Sequence, residues 1–160
     1  MFVQVEHFCA LLARATGRPV RMADTVEDSL IAGYPRHPAV IEIRTALKDG
    51  RITGREARMI LDTGAYAGPG PKLAPVPVLV LCGPYAIPNI DVSVRAVYTN
   101  KQPFGSYRAP TGPQANFALE SHMDHVAREL GVDPLQLRLD YLLEDGEETA
   151  NGQLIEASGL

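Results

Sequence analysis

The sequence has no tryptophan and only two cysteines, and each scarcity removes a class of protein. Cys9 and Cys82 lie far apart, form no CxxC pair and have no histidine at ligand spacing. A disulfide framework and a cysteine-based zinc site are therefore excluded, and buried free thiols in a reducing compartment, the cytoplasm, are expected. The longest apolar run, Val76 to Cys82, is interrupted by Pro77 and falls far short of the roughly 20 residues a membrane span needs. At the start, MFVQVEHFCALLARATG places Glu6 and His7 where a signal peptide would carry its apolar core, so no export is expected. Basic excess is missing too: 15 Lys and Arg against 19 Asp and Glu leave a net charge of −4. Neither a nucleic acid nor an anionic membrane surface fits that balance as a partner.

What is there is the composition of a globular domain, 46% hydrophobic and 21% charged over 160 residues. A chain of that length buries roughly two thirds of its unfolded surface, so one domain is expected. Val5, Phe8, Cys9, Leu12 and Ala15 recur at helical spacing from the chain start, and Gly17 supplies a stop. Residues 19–24, PVRMAD, read as a short strand. Thr25 to Asp28 has the form of a capping box opening a short helix to about Ala32, ended by Gly33-Tyr34-Pro35.

The clearest period of two follows. Ala39, Ile41, Ile43, Thr45 and Leu47 share one face up to the turn Lys48-Asp49-Gly50-Arg51. The returning strand alternates Ala57, Met59 and Leu61 against Glu56, Arg58 and Asp62, which predicts a long antiparallel hairpin. Residues 64–77 read as flexible and Val78 to Cys82 as a buried run. Ile90, Val92, Val94, Ala96 and Tyr98 then predict a third strand. A helix is expected from about Pro113 to Leu130, with Leu119, Met123, Val126 and Leu130 on one stripe and Gly131 as terminator. Asp133-Pro134 caps a last helix through about Leu143. The fold class is α+β, with helices packed on one face of a mixed or mostly antiparallel sheet. Residues 1–143 form the domain, and 144–160 an acidic, weakly structured tail.

Few motifs carry chemistry. Gly64 to Gly70 lacks the GxGxxG spacing, and its prolines would obstruct a phosphate cradle, so a mobile turn is expected. His122, His125 and Glu129 lie on one flank of the long helix without a zinc signature, and a solvated face is expected there instead of a metal site. No G-x-S-x-G elbow selects a nucleophilic serine. Two prolines hold Arg36 and His37 on a rigid turn that suits a structural or domain-interface role as well as ligand binding. The loop GSYRAPTGPQ, residues 105–114, sets Arg108 just ahead of the long helix. Its composition permits a tight bend with backbone N–H groups near a helix start, a place for a phosphate, carboxylate or oxo group. A solvated connecting loop is the plain alternative.

Several short stretches carry more in their order than each does alone: Thr16-Gly17-Arg18-Pro19-Val20-Arg21, Arg36-His37-Pro38, Leu61-Asp62-Thr63-Gly64-Ala65-Tyr66, Tyr85-Ala86-Ile87-Pro88-Asn89, Tyr98-Thr99-Asn100, Tyr107-Arg108-Ala109-Pro110 with Gly112-Pro113-Gln114, and Gly146-Glu147. Their order and spacing resemble the molybdenum-binding large subunit of the xanthine dehydrogenase and aldehyde oxidase family, the molybdenum hydroxylases. The resemblance implies that Arg108 contacts the molybdopterin cofactor, with Tyr107 and Ala109 lining the site and Gln114 at the helix start behind them. It implies hydroxylation of a carbon with oxygen from water, electrons leaving through iron–sulfur and FAD subunits or domains, and a cofactor in its cytosine dinucleotide form.

Departures from the family pattern matter equally. The glycine-rich GGGFG-type loop expected ahead of the first helix and the family's catalytic glutamate are not in this sequence. The chain thus resembles a fragment of a large subunit, from a split or truncated gene or an isolated domain. It holds no catalytic or metal-ligating residue of its own, is inactive alone, binds no cofactor alone, and needs the remainder of the large subunit as its partner. Pro110 stands where purine-oxidising members place a phenylalanine, and only Lys72 stands near the place of their substrate arginine. Purine is disfavoured; aldehydes, N-heteroaromatics, a thioester or carbon monoxide stay open. The alternative is a non-catalytic structural or interaction module. Either way, uncovered apolar surface around residues 64–84 would drive self-association.

Overall fold

The computed structural model describes residues 5–157 and bears out an α+β architecture with a mixed three-stranded sheet in the order β1-β2-β3. Strands β1 (Ala39–Lys48) and β2 (Arg51–Asp62) form the expected hairpin, paired from Ala39 opposite Leu61 to Lys48 opposite Arg51 with a register shift between Ala46 and Leu47. The turn works because Asp49 and Gly50 both take positive φ, 51° and 73°, the requirement of a two-residue hairpin turn that follows strand twist. Strand β3 (Ile90–Val97) lies parallel to β2, from Arg55 opposite Ile90 to Asp62 opposite Val97.

A parallel pair needs a crossover, and this one carries two short helices, α3 (Gly70–Leu73) and α4 (Val76–Cys82). The stretch expected to be flexible is thus partly helical. Prolines hid this from the sequence, yet Pro71 and Pro77 each sit in a first helical turn, where a missing N–H is no loss. Pro77, Leu81 and Cys82 face inward, and only Leu79 of the apolar run is strongly exposed, so the surface expected to be bare is largely covered.

The long helix, α5 (Gly112–Leu130), buries Ala115, Leu119, Met123, Val126 and Ala127; Leu130 of the expected stripe is half-buried. Gly131 ends it at φ 69°. Helix α6 (Pro134–Tyr141) starts from the Asp133 carboxylate, which accepts hydrogen bonds from Leu135 N and Gln136 N. It stops two residues earlier than expected, because Leu142 is extended and pairs with Tyr85 while Leu143 N donates to Pro84 O at 2.9 Å. Beyond it, Glu148 pairs with Leu154, and Gly146 N and Ile155 N complete a small turn through bonds to Ile155 O and Glu147 O.

The hydrophobic core has two clusters on the helix-covered face of the sheet. One gathers Ile52, Tyr85, Ile87, Leu119, Met123, Val126, Ala127 and Leu137; the other Ala57, Met59, Leu61, Leu81 and Ala115. The opposite face stays open, a groove of about 380 Å³ lined by Val40, Glu42, Arg58, Ile60, Ser93 and Arg95 among others. Two expectations fail here. Asp62, read as solvent-facing, is buried at 8% exposure, and residues 19–24 form no strand because no neighbouring chain offers them a ladder.

At the N-terminal side lie α1 (Val5–Thr16), whose start falls at the edge of the described residues, and α2 (Val26–Ala32). The capping box forms as read: Asp28 N donates to Thr25 Oγ1 at 3.1 Å and Thr25 N to Asp28 Oδ2 at 3.0 Å. Neither helix buries a single residue.

At the far end of β2, Gly64 has φ +73°, and a Cβ there would meet Gln102 O at 2.0 Å. Gly64→Ala therefore adds backbone strain to a clash with main chain and should cost at least about 2 kcal/mol, lowering Tm by about 4–8 °C. A thermal unfolding shift under 2 °C would refute the close approach.

Candidate functional site

Loop 104–111 is anchored by its neighbours before it can present anything. Phe104 is buried and its N–H donates to Thr63 O at 3.2 Å; Gly105 N donates to Pro35 O at 2.9 Å and bridges Arg36 in a parallel pairing. Only glycine fits at 105, because a Cβ there would lie 2.6 Å from Tyr34 Cβ. The loop is thus laid against the Tyr34-Pro35-Arg36-His37 run that leads into β1.

Arg36 is the centre of the arrangement. Its Nη2 donates to Arg108 O at 2.8 Å, and its Nη1 to Ala109 O at 3.2 Å and Gln114 Oε1 at 3.3 Å. The guanidinium also lies 4.9 Å from the centroid of the Tyr107 ring, within cation–π range. Gln114 completes the ring of contacts by donating from Nε2 to His37 O at 2.9 Å. Of the two open readings of Arg36-His37-Pro38, the geometry favours the structural one. The four residues Tyr107, Arg108, Ala109 and Gln114 are brought together, with Gln114 engaged at both ends of its amide.

This bracing holds a backbone that would not choose its own shape. Ala109 and Thr111 have φ of 51° and 64°, a left-handed region that costs a non-glycine residue about 1 kcal/mol or more. Thr111 is buried, its Oγ1 donating to Pro110 O at 2.6 Å, and in this conformation it provides no side-chain cap for α5. Arg108 and Tyr107 point outward and are exposed. The Arg108 side chain makes no hydrogen bond or ion pair with any described residue.

Beneath the loop sits His37, 2% exposed, with Nε2 unpartnered and the Phe104 ring centroid 6.3 Å away. Beside it, Gly70 is packed so that a Cβ would lie 2.3 Å from Thr63 Cγ2 and 3.7 Å from His37 Nε2. The Gly64–Gly70 segment is therefore fixed and not a mobile turn: Thr99 N donates to Gly64 O at 3.0 Å and Ala65 N to Lys101 O at 2.9 Å. Asp62 holds the same corner, accepting from Gly64 N at 2.8 Å, Thr99 Oγ1 at 2.6 Å and Lys101 Nζ at 2.9 Å. Burial, the largest single influence, pushes this carboxyl up, but those donors together hold it below the usual carboxylate range.

The remaining expectations resolve simply. On the flank read as solvated, His125 and Glu129 are exposed and His122 is half-buried, its Nε2 2.8 Å from Thr45 Oγ1 against the sheet. His125 pairs with Arg128 at 2.8 Å, and among the described residues no group of three potential ligands gathers to hold a metal. Both cysteines are free, Cys82 buried and Cys9 only half-buried. Among the described residues no helix is long and apolar enough to cross a membrane. Sequence reasoning missed the Arg36 clamp and the Asp62 corner; the signal for the first was an arginine fixed between prolines.

Burial is the chief cause that holds both His37 and His122 below the ordinary histidine value of about 6.5, so each is proton-poor when folded. The unfolded chain binds more protons, and stability should fall as pH drops below about 6.5. Urea unfolding at pH 7.5 and 5.5 should show a lower midpoint at 5.5, and the double variant His37→Asn/His122→Asn a smaller drop. An equal drop in the double variant would remove the histidines as its cause.

Comparison with known proteins places this geometry. The molybdopterin cofactor-binding domain family matches residues 1–142. The nicotinate dehydrogenase large molybdopterin subunit of Eubacterium barkeri is 37% identical over 157 residues, 98% of this chain and 37% of that protein. A probable xanthine dehydrogenase subunit of Bacillus subtilis (strain 168) is 40% identical over 137 residues, 85% of this chain and 18% of that protein. Among solved structures, the aldehyde oxidoreductase of Desulfovibrio gigas superposes with a TM-score of 0.85 at 32% identity, over 98% of this chain and 17% of that one. The chain therefore spans well under half the length of the relatives it matches. It belongs to the molybdopterin cofactor-binding domain family and corresponds to part of a molybdenum hydroxylase large subunit.

Proposed function

We propose that this chain supplies one wall of a molybdopterin site, and that the remainder of the large subunit supplies the others. The observation that carries this reading is Arg108, an exposed guanidinium with no partner among the described residues, on a loop braced from behind at the uncapped start of α5. An anionic phosphate or oxo group fits such a place, where a guanidinium offers charge-assisted hydrogen bonds and the helix start favours negative charge. Arg108 makes that contact with its side chain, Tyr107 and Ala109 line the same surface, and Gln114 supports them through Arg36 and His37. Molybdopterin bound there carries the molybdenum that hydroxylates a substrate carbon with oxygen from water.

The same reading extends to the rest of the assembly. Electrons pass to iron–sulfur and FAD subunits or domains in the cytoplasm, the cofactor is the cytosine dinucleotide form, and the chain alone retains none. The substrate is not a purine, since Pro110 and Lys72 do not supply the stacking ring and arginine that a purine would use; an aldehyde, an N-heteroaromatic, a thioester or carbon monoxide each fits. Residues 1–143 make up the cofactor-binding part, with 144–160 as its acidic tail.

In an intact large subunit carrying this chain, Arg108→Ala should lower molybdopterin content at least about tenfold, the loss of one charge-assisted contact. Folding should stay within about 2 °C in Tm, because the side chain carries none of the core. Oxidised-pterin fluorescence and elemental molybdenum per protein read the first, thermal unfolding the second. Unchanged cofactor content would overturn the reading.

A second reading, an interaction module without catalytic role, draws on α1 and α2, which expose Phe8, Leu11, Leu12, Val26, Leu30 and Ile31. Apolar surface of that extent drives association. Light scattering on the isolated chain should show a mass that rises with concentration, and Phe8→Glu/Leu30→Glu should return it to monomer. A monomer at all concentrations would refute this.

A further inference from the structure

We infer that Arg36 is the positioning residue of the cofactor loop, setting its shape through the main chain without touching the cofactor; this rests on the reading of Tyr107, Arg108 and Ala109 as cofactor-facing. Three acceptors converge on one guanidinium, and two of them are consecutive main-chain carbonyls, those of Arg108 and Ala109. A peptide unit is planar and trans, so drawing Arg108 O toward Arg36 turns the N–H of Ala109 the opposite way. The next carbonyl is also held, and Pro110, which follows, has no N–H to offer. The clamp therefore leaves one main-chain donor, Ala109 N–H, facing away from Arg36. That N–H enters none of the main-chain hydrogen bonds among the described residues.

Arginine is required by this geometry on two counts. A planar fork can serve carbonyls of adjacent residues and a side-chain amide together while its face rests on the Tyr107 ring; a lysine ammonium has neither the fork nor the face. The positive charge also stays uncompensated within the chain: no carboxylate among the described residues pairs with Arg36 or with Arg108. Two cations, one on the strained loop and one braced behind it, repel each other unless something negative lies nearby. Hydrogen bonding to carbonyls lets Arg36 hold that loop in place without neutralising it, leaving the field available to an anion on the outer side.

The test is hydrogen exchange resolved at single amides on the 160-residue chain, compared among wild type, Arg36→Lys and Arg36→Ala. The informative amides are Gly105, bonded to Pro35 O, and Gly112, bonded to Ala109 O. Both substitutions should speed exchange there at least about tenfold, the equivalent of one lost charge-assisted hydrogen bond. Protection at Ala57 and Met59 in β2 should stay at wild-type level. Wild-type protection in Arg36→Lys would overturn the proposal by showing that charge suffices, and an equal loss across β2 would reduce Arg36 to a general structural role. The readout needs no cofactor, so it separates the two claims. Loss of loop protection with unchanged molybdopterin content in the intact large subunit bearing Arg36→Lys would sink the cofactor-facing reading and leave the clamp standing.

Discussion

The parallel pairing of β2 with β3 is the constraint from which the rest of this chain follows. Parallel strands end at the same edge of a sheet, and the register of Asp62 with Val97 brings both C-terminal ends together. Because β1 runs antiparallel to β2, its first residue, Ala39, lies at that edge as well, opposite Leu61. Three chain segments therefore meet there: the entry to β1 with Arg36 and His37, the exit of β2 with Asp62 to Gly64, and the exit of β3 leading to loop 104–111. Ligand sites in sheets with parallel strands lie outside the carboxyl ends for this reason, since loops from separate strands converge on one crevice. Crossover helix α4 and helix α5 cover one sheet face, and α5 begins at the same edge.

The two charged groups that shape this edge are fully partnered, whereas a buried arginine in the interior is not. Asp62 and Arg36 each find three partners, so the corner is built from hydrogen bonds that fix direction. Arg55, deep between β2 and α5, is 3% exposed with Nε and Nη1 unpartnered; its Nη2 lies 2.8 Å from Met123 Sδ and its guanidinium 5.9 Å from the centroid of the Tyr85 ring. Burial lowers its pKa for that reason, against the pull of Tyr85 and Glu120. Tyr85 in turn is pushed up to about 12, by burial first and then by its hydrogen bond to Glu120, whose carboxylate Arg138 also grips at 2.8 Å. The interior charge of Arg55 thus rests against an aromatic face, while Arg138 joins α6 to α5 through Glu120 and Asp124.

What could be read from the sequence follows from how local each signal is. The hairpin was legible because a period of two and an Asp-Gly turn are properties of neighbouring residues, and α5 because its stripe repeats over five turns of chain. The direction of β3 was not legible, since Ile90, Val92 and Val94 alternate equally well beside a parallel or an antiparallel neighbour. Asp62 fell on the polar phase of its strand and was read as exposed; only Thr99 and Lys101, 37 and 39 residues away, make it an interior group. At the site, the resemblance singled out Arg108 and its neighbours. Arg36 remained ambiguous because its partners lie 72 to 78 residues along the chain and two of them are backbone carbonyls, which carry no residue identity at all.

The two apolar segments of the chain make the same point in energetic form. Val76 to Cys82 and the α1–α2 pair are both short and both carry large apolar residues, uncharged in the first and interleaved with Glu6, Arg14, Glu27 and Asp28 in the second. The first is inside because α5 and the sheet lie over Pro77, Leu81 and Cys82; in the second no described residue is fully buried. Helices of 12 and 7 residues are marginal in water on propensity alone, and α2 gains from its capping box while Phe8, Leu11 and Leu30 remain exposed. Nothing similar holds at the sheet edge, where Arg36, His37 and Gln114 close the loop with groups of this chain only. The loop that carries Arg108 is therefore shaped by hydrogen bonds between described residues of this chain.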